Sequence, residues 1–130
     1  MYQQITIAGN VGADAEQRFT KEGTAVTSFR MATNRKYTNS AGDHVEETAW
    51  FRVTAWAKLA EICAKYVHKG DPVLVIGTLV PDDKGNPKVW VTSDGTPRAN
   101  FEVRADRVVF LGKPPAQGLG AAGNTEEIPF

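Results

Sequence analysis

Residues 48–68, TAWFRVTAWAKLAEICAKYVH, change hydrophobic period part-way along, and that change decides the fold. From Thr48 to Trp56 side chains alternate across a strand. Ala49, Phe51, Val53 and Ala55 form one face, and Thr48, Trp50, Arg52, Thr54 and Trp56 form the other. From residue 58 the spacing becomes helical: Leu59, Ile62, Cys63, Tyr66 and Val67 recur at i, i+3, i+4, i+7 and i+8, which predicts an amphipathic helix over 58–68 stopped by Gly70. The small, apolar set is the core face of the strand, so two tryptophans and an arginine are left among threonines on the other. A covering helix or a second subunit would also account for indoles there, since tryptophan is mostly interior. A covered strand usually reads as a continuous apolar run, however, and Thr48 and Thr54 interrupt this one. The expectation is an exposed aromatic platform.

Strand patterns flank this segment on both sides. Residues 3–9 alternate with Ile5 and Ile7 inward, after which Gly9-Asn10-Val11-Gly12 reads as a turn. Residues 24–33 set Phe29 and Met31 against Ser28 and Arg30. Residues 34–46 are polar and read as a loop with Tyr37 at its base. Beyond the helix, Val73–Val80 is apolar on both faces; Leu74 and Ile76 alternate with the core positions Val73 and Val75 and need a cover, which marks them as a candidate subunit interface. Residues 81–87 read as a hairpin loop, followed by Lys88–Thr92, where Trp90 shares a face with Lys88 and Thr92. Residues 99–105 place Ala99, Phe101 and Val103 inward, and Val108–Leu111 ends the domain. Three strand segments, one helix and further strands is the order of a five-stranded Greek-key barrel of the OB type, all-β with a single helix. Such a barrel hosts several functions, so the site must decide.

A chain of 130 residues supports one domain, expected at 1–112, with a flexible linker at 113–125 and a tip at 126–130. One cysteine excludes a disulfide framework, and Cys63 on the apolar side of the helix reads as a buried thiol in a reducing compartment. No leader and no membrane-spanning run is legible, so a cytoplasmic protein of a bacterium or an infecting phage is expected. Net charge is zero, and residues 1–112 carry fourteen Lys and Arg against thirteen Asp and Glu. Any basic surface is therefore local, with Arg30, Arg35, Lys36, Arg52, Lys58 and Lys88 as its candidates.

A sequence-tolerant binder of single strands needs flat aromatic faces interleaved with cations. Trp50, Trp56, Trp90 and Tyr37 supply the first, although a tyrosine at a strand end could equally cap the barrel. The six cations supply the second. Catalysis has little to work with: His44 and His68 lack the spacing of a metal pair or of a base beside a nucleophile, and Asp82 with Asp83 reads as a solvated turn. No phosphate loop or dinucleotide fingerprint occurs, and no cofactor or metal is expected. The reading is a non-enzymatic binder of single-stranded DNA. An OB-fold adaptor for proteins and an RNA chaperone are the alternatives.

The linker should present the tip with an r.m.s. reach of about 20 Å. Glu126, Glu127, Ile128, Pro129 and Phe130 combine two acids with apolar residues that bury nothing in a free tail, a composition suited to a partner pocket with a basic rim. With Gly9-Asn10-Val11-Gly12, Trp50-Phe51-Arg52-Val53, Lys58-Leu59-Ala60-Glu61, Lys69-Gly70, Gly77 and Ile128-Pro129-Phe130, the chain resembles the bacterial single-stranded DNA-binding protein family over nearly its whole length. The resemblance implies base stacking at Tyr37, Trp50, Trp56 and Trp90, a homotetramer of OB folds, and a tip that recruits replication, recombination and repair proteins. The chain departs from the family pattern in its short linker, its two glutamates in place of an aspartate run, its tyrosine at 37 and an apparent insertion at 81–87.

Overall fold

The computed structural model describes residues 1–112, so the linker and the 126–130 tip lie outside the described residues. The elements run β1 (Ile5–Val11), β2 (Glu16–Phe19), β3 (Ala25–Thr38), β4 (His44–Trp56), α1 (Ala57–Tyr66), β5 (Pro72–Leu79), β6 (Val89–Val91), β7 (Pro97–Ala99) and β8 (Phe101–Phe110). The sheet order β1-β5-β8-β4-β3-β2 is closed by a second pairing of β1 with β3, at Asn10↔Ala32 and Val11↔Met31. Five strands thus make an OB-type barrel, with β2 hung on β3 and with β4 and β8 as the parallel pair.

The barrel closes because two glycines let strands cross tightly. A Cβ on Gly9 would sit 2.1 Å from the Ala32 carbonyl oxygen, and one on Gly77 would sit 2.0 Å from that of Arg104. Gly9-Asn10-Val11 is consequently not a turn. It is the stretch where β1 passes from β5 to β3, and pairing continues through it.

Inward residues of every barrel strand meet in one core that includes Ile7, Phe29, Met31, Val53, Val75 and Val103. Helix α1 covers one end of it. The helix is shorter than its periodicity predicts, because Val67 already has extended backbone and Gly70, at φ +91°, turns the chain toward β5. Its buried line is Ala60, Cys63 and Val67, whereas Ile62 and Tyr66 are exposed. Small residues form the line of closest approach. Thr27, buried on β3, donates a 2.6 Å hydrogen bond to the Ala60 carbonyl; Leu59 packs against the core, and Ile62 and Tyr66 are turned to the rim, where Tyr66 meets the edge of Phe110. Burial pushes the Cys63 thiol up to about 11, so it stays protonated at neutral pH.

Two other expectations change. Residues 34–46 are not a loop: β3 and β4 continue as a long antiparallel ribbon paired out to Thr38↔His44 and turned at 39–43. One face of that ribbon is wholly polar and the other carries only the Tyr37–Val45 pair, so no apolar alternation announces it. Ala99 and Phe101 are exposed instead of inward: Ala99 belongs to the separate β6–β7 hairpin, and Phe101, the first residue of β8, has its ring 5.6 Å from that of Phe51.

Candidate nucleic-acid interface

Alternation along β4 carries Trp50, Arg52, Thr54 and Trp56 to the outside of the barrel, while Val53 and Ala55 are sealed in the core. The antiparallel register sets Ala32 opposite Trp50, Arg30 opposite Arg52, Ser28 opposite Thr54 and Val26 opposite Trp56, all pointing outward with them. Both rings remain open to solvent, at 43% and 41% exposure. The alternative of a covered indole face is thereby excluded within a single protomer.

Small neighbours make room for these rings. The backbone N–H of Gly12 donates to the Arg30 carbonyl, and a Cβ on Gly12 would lie 2.6 Å from the Trp50 ring, so the bare glycine backbone forms the floor on which that indole rests. The Arg30 guanidinium lies 4.7 Å from the Trp50 ring centroid, close enough for a cation–π attraction. Arg52, two residues along, reaches the Ser28 hydroxyl at 3.4 Å.

The β6–β7 hairpin brings the third indole to the same side. Trp90, 43% exposed, pairs across the hairpin with Arg98. An open groove of about 480 Å³ separates it from β4 and β8, with Arg52, Lys88, Trp90, Asp83 and Glu102 among its lining. Lys88 forms a 3.4 Å ion pair with Glu102, and Glu102 lies opposite Arg52 in the β4–β8 register. The groove is therefore mixed in charge, not simply basic.

The remaining candidates are not in this row. Tyr37 lies on the opposite face of the β3–β4 ribbon from Trp50, near the tip, with Arg35 over its ring at 4.6 Å and Val45 as its cross-strand neighbour. Arg35 is also 3.7 Å from Glu47, and Lys36 stands opposite Glu46. Lys58 is exposed in the first turn of α1, two residues after Trp56. A cation absent from the sequence reading lies beside Trp56: Arg104, outward on β8 opposite Thr54, with its guanidinium 6.0 Å from that ring. Its outward parity between Val103 and Ala105 is readable in sequence, but its nearness to Trp56 depends on a parallel pairing that is not. Among the described residues no cluster of His, Cys, Asp and Glu could hold a metal, and no helix is long and apolar enough to cross a membrane.

Barrel closure, a lone helix over one end and three open indoles on one side together define an OB-fold protein with an aromatic and cationic face. The model of the Single-strand binding protein family matches residues 2–111, and the chain belongs to that family. It is 33% identical to a single-stranded DNA-binding protein of Thermotoga maritima over 98% of this chain and 86% of that one. It is 37% identical to single-stranded DNA-binding protein 1 of Chlorobaculum tepidum over 68% of this chain and 57% of that one. Among solved structures, an SSB of Plasmodium falciparum in complex with ssDNA superimposes with a TM-score of 0.71 over 86% of this chain and 97% of that one; at 23% identity that likeness bears on the fold.

Proposed function

We propose that the chain binds single-stranded DNA without sequence preference, stacking bases on Trp50, Trp56 and Trp90 and holding phosphates with Arg30, Arg52 and Lys88. The observation that carries the reading is three half-exposed indoles on one side of the barrel, two of them on a strand whose other face seals Val53 and Ala55 in the core. Such rings cost the free protein hydrophobic burial and offer every base a flat partner, whatever its hydrogen-bonding edge. Family membership and the names of the relatives point the same way, toward a binding protein and not an enzyme. Lys58 extends the path beyond Trp56, while Tyr37, Arg35 and Lys36 serve an outer contact along the ribbon. Addition of oligo-dT is expected to quench most of the tryptophan emission, with an affinity that falls steeply as salt rises. Emission unchanged at low salt would defeat this reading.

Shielding of exposed strands and recruitment of replication, recombination and repair proteins complete the proposal. The recruiting element is Glu126 to Phe130, supported by the pairing of acidic and apolar side chains in a five-residue segment. A homotetramer is supported by the outer surface of β5. Leu74 and Ile76 are only partly covered there; exposed Ala8 and buried Val109 flank Leu74, and Thr6 and Arg107 flank Ile76. Ile76→Lys is expected to lower the mass measured by light scattering; an unchanged mass would put the subunit contact elsewhere.

A further inference from the structure

We propose that Arg104 contacts the DNA and carries the bound strand obliquely across β4 to the β8 side of the barrel. The inference rests on the single-stranded DNA reading above and adds a residue and a direction to it. Each indole on β4 has one arginine over it, and the two arginines come from opposite sides: Arg30 from β3 lies at Trp50, and Arg104 from β8 lies at Trp56. Six residues of strand separate the rings, roughly 20 Å. A backbone that meets both arginines must therefore cross β4 on the way from one ring to the other.

Arg104 is suited to receive a phosphate. It is exposed and, unlike Arg35 and Lys88, has no carboxylate within ion-pair distance among the described residues. Its contact is with the ring of Trp56. That attraction can hold the guanidinium in place while its N–H groups remain free for phosphate oxygens, a geometry that lysine's point charge does not reproduce. No competing ion pair has to break when the phosphate arrives.

A residue that merely shields or orients Trp56 would affect affinity without affecting counterion release, and salt dependence separates the two roles. Oligo-dT titrations across salt should be made on the full chain, on Arg104→Gln and on Arg104→Lys. Arg104→Gln is expected to bind roughly tenfold more weakly at low salt, with the log–log salt slope shallower by about 0.7 for each protomer engaged. Arg104→Lys keeps the charge and is expected to keep the slope. Wild-type binding with an Arg104→Gln slope equal to the wild-type slope, at whatever affinity, would overturn the phosphate contact. Absence of quenching in the wild-type protein would instead defeat the DNA reading on which the proposal rests.

Discussion

Replacing Trp50 and Trp56 together by alanine is expected to weaken oligo-dT binding by about 2–6 kcal/mol, at least about thirtyfold, since each stacked base contributes about 1–3 kcal/mol by alanine substitution. The rings stand roughly 20 Å apart along β4, so their separate losses should nearly add. Both side chains point away from the core that Val53 and Ala55 fill, and the double variant should therefore fold. The salt slope should stay close to that of the wild type, because Arg30, Arg52 and Lys88 are retained and phosphate contacts set the slope. Fluorescence anisotropy of labelled oligo-dT is the suitable measurement, as the variant has lost two of the three tryptophans that would report quenching. Affinity within threefold of wild type would remove β4 from the interface and leave Trp90 as the main platform.

That test addresses the part of the interface most legible in sequence. Period-two alternation from 48 to 56 orients both indoles, and the switch to helical spacing after it identifies the barrel type, because both signals are local. Contacts made by pairing were harder to read. Arg104 comes to Trp56 only through the parallel β4–β8 register, joining segments nearly fifty residues apart. Polar ribbons are difficult for a related reason: Asn34 to Thr38 and His44 to Thr48 are held by backbone ladder bonds, and the single Tyr37–Val45 pair gives too little period-two contrast to show them. The face that Tyr37 occupies is set by the same ribbon, since it depends on β3 continuing in register past Thr33. Helix α1 shows the converse. Its apolar stripe is real, but the barrel end accepts Ala60 and Cys63 at close approach and leaves Ile62 and Tyr66 at the rim.

Closure of the barrel depends on a residue with no side chain, and the largest stability effect is expected there. In Gly77→Ala the new Cβ would start 2.0 Å from the Arg104 carbonyl oxygen and 2.9 Å from its carbon. Backbone cannot rotate away as a flexible side chain can. Relief requires β5 and β8 to separate at the bulge, where the register slips between Ile76 and Gly77, and overpacking of this kind costs about 3 kcal/mol. Gly85→Ala is the informative comparison: that residue sits at φ +86° with nothing within 4 Å of a built Cβ, so it carries only the left-handed backbone penalty of about 1–2 kcal/mol. Urea unfolding should show a much lower midpoint for Gly77→Ala than for Gly85→Ala, with an unchanged m-value if the unfolded surface is the same. Because the strained carbonyl belongs to Arg104, the surviving folded fraction of Gly77→Ala should also bind oligo-dT less tightly than Gly85→Ala. Equal midpoints for the two variants would mean that the β5–β8 crossing has slack, and that barrel closure does not require glycine at 77.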